Sequence, residues 1–204
     1  MWNKHKSKIL AAYLLMVSLF FSSVNIPCKV AFPVTYLALV AGNRRLGWMI
    51  VALCFSAVGD YMGALHHFPL QMGTFALAHC AFILHFIQKG KGKGMPASTY
   101  GLLMLLGTMT LLVFAYGFIL PAVYPTWLRL GVAVYVLLIL GMLCGAFWQR
   151  DFWIALGGLL FVFSDAILAW NKFVGHVPNA RLWIMIPYYA AQWLLFMRAV
   201  WNRK

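Results

Sequence analysis

Eight apolar segments separated by short polar gaps constrain what this chain of 204 residues can fold into. A membrane-spanning α-helix needs about 20 mostly apolar residues, because the hydrocarbon core of a bilayer is about 30 Å thick and a helix rises about 1.5 Å per residue. The segments therefore predict an all-α, polytopic membrane bundle of about eight transmembrane helices, forming a single transmembrane domain over residues 1–204. The segments cover residues 9–25, 27–42, 46–65, 69–87, 98–120, 127–148, 152–170 and 181–201.

The composition excludes a soluble domain and argues against nucleic-acid binding. Only 9% of the residues are charged and 64% are hydrophobic, whereas about a quarter of a soluble domain is charged. The net charge of +13 lies mostly in the gaps between apolar segments, as in membrane loops that follow the positive-inside rule. The four cysteines show neither disulfide nor zinc spacing. We expect membrane lipids as surroundings and no metal or cofactor.

The basic residues predict the orientation of the chain in the membrane. Twelve of the sixteen lie on the side shared by both termini, which predicts that both termini are cytoplasmic in a cell membrane. The opposite side carries Lys29, Arg129, Lys172 and Arg181. The basic start of the chain resembles a signal peptide, but we expect a retained first helix because no matching cleavage site follows. The oligomeric state does not follow from these patterns.

A short internal similarity links the third and seventh predicted helices. Residues 55–60, FSAVGD, resemble residues 161–165, FVFSD, and each ends in an aspartate after an apolar stretch. The two helices run in the same direction, so the similarity suggests a parallel duplication of four plus four helices.

Asp60 and Asp165 are the strongest candidates for chemistry. The chain has three acidic residues, and these two lie inside apolar segments, at similar distances from the cytoplasmic side. Placing a carboxyl there costs about 2.5–3.5 kcal/mol, whereas an interhelical hydrogen bond returns only about 0.6 kcal/mol on average. The cost favours a function over a structural role. The third acid, Asp151, lies beside Arg150 in a loop and needs no special role.

Two carboxyls that share a low-dielectric pocket cannot both ionise cheaply, so one is expected to keep its proton. A proton donor then lies beside a negative charge, which suits acid-catalysed cleavage of an ether or acetal-like bond. We expect the two carboxyls to face a common cavity, within roughly 10 Å of each other.

Several other polar residues fall at comparable depth in the apolar segments. Each also has an ordinary interpretation, since a lone histidine or tyrosine in a membrane helix is often an interhelical hydrogen bonder or an anchor. The candidates for lining the site are Ser56, His79, Tyr135, Ser164, Tyr188 and Gln192.

Two other kinds of site remain open. Ser56, His79 and Asp60 contain the residue types of a serine hydrolase, but no G-x-S-x-G motif is present. Asp60, Asp165 and His79 are also metal-ligand types, but no helical metal signature such as H-E-x-x-H accompanies them.

Four short blocks resemble the YhhN-like lysoplasmalogenase family, in the family's order. They are FSAVGD at 55–60, FALAH at 75–79, GGLLFVFSDAILA at 157–169 and YYAAQ at 188–192. The sequence departs from the family at the second helix, where the common Lys-Pro pair is replaced by Lys29, Val30 and a later Pro33.

The resemblance implies a multi-pass membrane enzyme that hydrolyses the vinyl-ether bond of lysoplasmalogens. The products would be a fatty aldehyde and a glycerophospho-ethanolamine or -choline. It implies Asp60 and Asp165 as the catalytic pair, with His79, Ser164, Tyr135 and Gln192 lining the site. We also expect Ser56, Tyr188 and Lys29 to be substrate-binding residues. A basic residue on the outer side would attract the phosphate of the lysophospholipid substrate.

Two other functions remain as alternatives. A proton-coupled small-molecule transporter would use Asp60 and Asp165 as proton carriers, and a non-catalytic lipid-binding protein would need neither. Release of aldehyde in detergent, where no gradient exists, separates the enzyme from the transporter.

Overall fold

The computed structural model describes residues 2–43, 46–90 and 97–201, and all regular structure in these ranges is helical. The expected all-α class is confirmed. Eight helices of twelve or more residues follow one another along the described chain. They are α1 (Trp2–Phe21), α2 (Phe32–Asn43), α3 (Trp48–Ala64), α4 (Phe68–Lys89), α5 (Ala97–Phe114), α6 (Thr126–Trp148), α7 (Phe152–Ala169) and α8 (Ala180–Trp201).

The helices end at the polar gaps between the apolar segments of the sequence. Helix α4 carries a proline in its first turn, where the missing N–H has no intrahelical partner to lose. The helix ends at Lys89, and the next residue, Gly90, has a φ of 72°. This left-handed backbone conformation favours glycine, which has no Cβ. Helix α7 starts after Asp151, whose carboxylate accepts hydrogen bonds from the backbone amides of Trp153 and Ile154.

Helix α2 is shorter than its apolar segment predicted. The 3₁₀ turn Lys29–Ala31 precedes it, and the α-helix begins only at Phe32. Pro33 is therefore the second residue of the helix and needs no kink to be accommodated. The proline that lies inside a helix is Pro187 of α8.

Four of the described helical segments are long and apolar enough to cross a membrane: Phe68–Lys89, Ser98–Ala122, Thr126–Trp148 and Phe152–Val174. Two of them extend beyond α5 and α7 through π-helical turns at Ala115–Ile119 and Trp170–Val174. The count of eight spans is not confirmed, since α2, at 12 residues, rises only about 18 Å. The four-plus-four duplication is not confirmed either.

The helices that carry the site pack closely in pairs, α3 against α4 and α7 against α8, with α6 against α4 and α7. Glycines allow the close approach. A Cβ added at Gly59 of α3 would lie 2.8 Å from the ring of Phe75 in α4. A Cβ at Gly158 of α7 would lie 2.9 Å from the Cβ of Ala146 in α6. Small residues at helix contacts are typical of membrane bundles.

Half of the residues behind the predicted orientation lie outside the described residues. Six of the twelve basic residues counted on the cytoplasmic side are affected: Arg44, Arg45, Lys91, Lys93, Arg203 and Lys204. The cytoplasmic location of the termini therefore stays a prediction.

Candidate active site

Asp60 is the thirteenth residue of α3 and is 5% exposed. The hydroxyl of Tyr188, on α8, donates a hydrogen bond of 2.9 Å to its Oδ2 atom. The neighbouring Gly59 brings α4 close, so the ring of Phe75 packs beside the pair, with its centroid 5.8 Å from that of Tyr188. Asp60 is thus held between three helices.

Asp165 is the fourteenth residue of α7 and belongs to a longer hydrogen-bonded chain. The hydroxyl of Tyr135, on α6, donates to Asp165 Oδ2 at 2.5 Å. His79 Nε2, on α4, lies 3.0 Å from the same hydroxyl and 3.5 Å from Oδ2. Tyr135 has one proton, so where it is donated to Asp165 the Tyr135 oxygen can accept from a hydrogen on His79 Nε2. Three helices therefore hold Asp165.

Aromatic rings join the two aspartate–tyrosine pairs. The ring of Phe161 lies 5.5 Å from that of Tyr188 and 5.0 Å from that of His79, each measured between centroids and each in an edge-on arrangement. Phe75 packs on both Phe161 and Tyr188. This arrangement gives the wall behind the carboxyls a fixed shape, because edge-on aromatic pairs are stabilising and directional.

Asp60 and Asp165 line one cavity of about 480 Å³, within the usual range for small-molecule sites. Their expected position in a common cavity is confirmed, while their separation stays a prediction. Ala64, His66 and Arg181 are exposed and mark its open end. Apolar side chains complete the lining, including Phe20, Ile26, Val30, Leu168, Ile184 and Met185.

The predicted site residues divide by their place relative to this cavity. Ser164, Tyr188 and Lys29 line it together with the aspartates. The Ser164 hydroxyl also donates to the carbonyl oxygen of Ile184 at 2.9 Å, so it ties α7 to α8.

The other predicted residues lie behind the cavity wall. His79, Ser56 and Gln192 are fully buried and do not line the cavity. Tyr135 does not line this cavity but lines a smaller, mainly apolar one of about 40 Å³, which Asp165 also lines. The Ser56 hydroxyl has no hydrogen-bond partner among the described residues. The direct substrate contact expected of these four residues stays a prediction.

Two of the four basic residues predicted on the outer side reach the cavity. Lys29 and Arg181 line it, whereas Arg129 and Lys172 do not. Arg129 lies 5.6 Å from the ring centroid of Tyr124, and Lys172 lies 5.1 Å from that of Phe68.

Sequence reasoning missed two polar lining residues, His66 and Gln71. Gln71 is a polar residue inside an apolar segment, and that signal could have identified it. His66 has a φ of 60° and joins α3 to α4, which the sequence did not reveal. Among the described residues, no three side chains of the histidine, cysteine or acidic types come together as metal ligands would.

Comparison with known proteins identifies the family. The YhhN family profile matches residues 8–199. This chain belongs to the YhhN family. The match spans nearly the whole chain and includes the four sequence blocks and every predicted site residue.

Named relatives of this YhhN protein are lysoplasmalogenases. Lysoplasmalogenase TMEM86B of Rattus norvegicus is 36% identical over 170 residues, covering 82% of this chain and 68% of the rat protein. The Mus musculus protein of that name is 33% identical over 174 residues, covering 83% and 71%. The lysoplasmalogenase of Mycobacterium tuberculosis is 28% identical over 142 residues, covering 65% and 52%. No solved structure matches the chain significantly.

Proposed function

We propose that this YhhN protein is a membrane-embedded hydrolase of lysoplasmalogen-type lysophospholipids. It cleaves the vinyl-ether bond and releases a fatty aldehyde and a glycerophospho-ethanolamine or -choline. The observation that carries the proposal is that Asp60 and Asp165 line one cavity, in a chain whose relatives are named lysoplasmalogenases. Vinyl-ether hydrolysis needs an acid and a negative charge close together.

The chemistry assigns a proton donor and an anion to the two aspartates. The protonated carboxyl transfers its proton to the alkene carbon that is not bonded to oxygen, giving an oxocarbenium ion. The ionised carboxylate stabilises that cation and accepts a proton from the water that attacks it. The resulting hemiacetal then breaks its bond to the glycerol oxygen, which takes the proton that the second carboxyl accepted from water. The hemiacetal hydroxyl gives its proton to the first carboxylate as the aldehyde forms, so both aspartates return to their starting states. One water is consumed and no cofactor is needed.

The hydrogen bonds favour Asp165 as the ionised partner. It accepts from Tyr135 at 2.5 Å, has His79 Nε2 at 3.5 Å and keeps 14% of its side chain exposed. Hydrogen bonds to a carboxylate favour its charged form. Asp60 is more buried, and Tyr188 is the one described side chain that donates to it. We therefore assign Asp60 as the general acid.

Tyr135 and His79 act in this scheme as positioning residues. The directed chain from His79 through Tyr135 orients the carboxylate of Asp165 toward the cavity and stabilises its charge. Donors fixed in place before the reaction are effective because they need not reorganise as charge develops. Substrate contact through either residue is not required.

The test is aldehyde release from lysoplasmalogen by the purified protein in detergent. The hydrolase should turn over without any membrane gradient. Inactive, correctly folded protein that instead moves a solute in liposomes, and stops when the proton gradient is dissipated, would contradict the proposal and favour the transporter. The same preparation should be treated with serine-directed reagents, since a trapped adduct at Ser56 would favour a nucleophilic mechanism.

A further inference from the structure

Two positive charges line the candidate active site without a carboxylate partner. Lys29 and Arg181 both border the cavity, and neither forms an ion pair with a carboxylate in the described part of the chain. Uncompensated cations at the edge of an apolar environment are unfavourable unless they snorkel to water or bind an anion.

The end of α1 and the connection that follows it hold both cations in place. Lys29 Nζ donates to the carbonyl oxygens of Ser22 at 2.7 Å and Val24 at 2.6 Å. Arg181 Nη2 donates to the carbonyl oxygen of Phe20 at 2.6 Å, and its guanidinium carbon lies 4.4 Å from the centre of the Phe20 ring. These acceptors are neutral carbonyl oxygens, so the positive charges of Lys29 and Arg181 are not compensated by them.

Both groups also keep free donors. An ammonium has three N–H groups, of which Lys29 uses two in these bonds, and a guanidinium has five, of which Arg181 uses one. A fixed guanidinium fork beside an ammonium matches the several oxygens of a phosphate.

We infer that Lys29 and Arg181 form a subsite for the phosphodiester of a lysophospholipid, at the open end of the cavity. This inference rests on the proposed function and extends it to substrate selection. The phosphate binds at the subsite while the chain directs the vinyl ether toward Asp60 and Asp165. A neutral alkenylglycerol, which has the reacting bond but no phosphate, gains nothing from the two cations.

A purely structural role predicts a different result. If Lys29 and Arg181 only tether the connection between α1 and α2, their loss weakens turnover of every substrate alike. Arg129 provides a matched control, because its Nε donates to the carbonyl oxygen of Val123 at 3.2 Å and its guanidinium lies over Tyr124. Arg129 therefore makes the same two kinds of contact as Arg181, but it does not line the cavity.

The experiment compares two substrates across four proteins in detergent. The kcat/KM is measured for a 1-alkenyl-glycerophosphoethanolamine and for the matching 1-alkenylglycerol. Arg181→Gln should lower the ratio of the two values by about 10- to 100-fold, mainly through the KM of the phosphate substrate. Lys29→Met should lower it by roughly tenfold, and Arg129→Gln should match the wild type. Equal loss on both substrates, or an unchanged ratio, would overturn the subsite.

A binding measurement separates this inference from the proposed reaction. The probe is a saturated-ether lysophosphatidylethanolamine, which has the phosphate but no vinyl ether, and the readout is the Tm. It should stabilise the wild type and Arg129→Gln but not Arg181→Gln. Such binding without aldehyde release from lysoplasmalogen would refute the reaction and support the subsite. An equal shift with inorganic phosphate alone would assign the site to free phosphate and overturn the lipid assignment.

Discussion

A tyrosine hydroxyl from another helix donates a hydrogen bond to each of the two cavity-lining carboxyls. Tyr188 donates to Asp60 and Tyr135 donates to Asp165. The two environments differ, since Asp60 is more buried and His79 extends only the hydrogen-bonded chain at Asp165. Environments that favour different protonation states are what give two chemically identical groups an acid role and an anion role.

The first prediction concerns the two carboxyls. Asp60→Asn and Asp165→Asn should each remove nearly all turnover, because asparagine keeps the size but neither donates a catalytic proton nor holds a charge. Loss of one general acid typically costs about 10²- to 10⁴-fold. The double variant should cost little more than either single one, since groups that act as a unit are not additive. Aldehyde release by purified protein measures this.

Asp151→Asn is the control for that experiment. It removes the remaining acidic side chain of the sequence, which lies at the start of α7 and does not line the cavity. Turnover should stay near the wild-type value. Robust activity in either Asp60→Asn or Asp165→Asn would contradict the proposed mechanism.

At the scale of helices, Asp151 links two elements and is not the ordinary loop residue that the sequence suggested. Its carboxylate caps α7 and forms an ion pair with Arg198 of α8. Burial by itself would raise the pKa of Asp151, but the hydrogen bonds from Arg198 and from the amides of Ile154 and Trp153, with the charge of Arg198, lower it overall.

The second prediction follows from the sign of that shift. A lowered folded pKa means that the stabilisation is complete above the ordinary value of 3.8. It is lost as the pH falls through the folded value. Allowing for solvent screening, we expect about 1 kcal/mol, or roughly 2–4 °C in the Tm.

Thermal melts of the wild type and Asp151→Asn between pH 7 and pH 3 provide the test. Asparagine still caps a helix but has no charge, so the Tm difference between the two proteins should shrink below about pH 4. A difference that does not change with pH would refute the ion-pair contribution. Effects of pH at other groups are common to both proteins and cancel in the comparison.

The third prediction concerns the contact between α6 and α7. Gly158→Ala would place a Cβ 2.9 Å from the Ala146 Cβ and 3.4 Å from a methyl of Leu143. Neither Ala146 nor the helix backbone can yield by rotating a side chain, so the helices must move apart. Overpacking of this kind typically costs about 1–3 kcal/mol, and the Tm should fall by several degrees.

Gly73→Ala supplies the matched comparison, since a Cβ at Gly73 of α4 meets nothing within 4 Å. Alanine is also favoured over glycine in a helix by about 1 kcal/mol, so its Tm should stay the same or rise. Equal Tm values for the two variants would show that the contact between α6 and α7 is not tight.

At the scale of the whole molecule, the placement of the cavity depends on the orientation of the bundle. We propose that both termini are cytoplasmic, which places the open end of the cavity, with Lys29 and Arg181, toward the outer side. The fourth prediction is that reporter fusions at either terminus give a cytoplasmic signal. A terminus on the outer side would reverse the leaflet from which substrate enters.

The sequence by itself determined the helices and indicated the two principal candidate residues, which the structure places on one cavity. The length of an apolar segment and the position of a polar gap are local properties of the sequence. The bounds of α4 and α6 therefore lie close to those of their predicted segments. Asp60 and Asp165 could be recognised as candidates because placing a carboxyl in an apolar segment costs free energy, whichever way its helix faces. The start of α2 was missed because apolar residues continue through the preceding 3₁₀ turn.

Only the tertiary structure decided how the polar side chains are partnered. The sequence could not show that Tyr135 and His79 join Asp165 while Ser56 stays apart, nor that Lys29 and Arg181 reach the cavity while Arg129 and Lys172 do not. A membrane helix that is apolar on every face carries little sequence signal for its rotation about its own axis. Contacts with neighbouring helices set that rotation, and these contacts come from residues distant in the chain, such as Gly59 with Phe75 and Gly158 with Ala146.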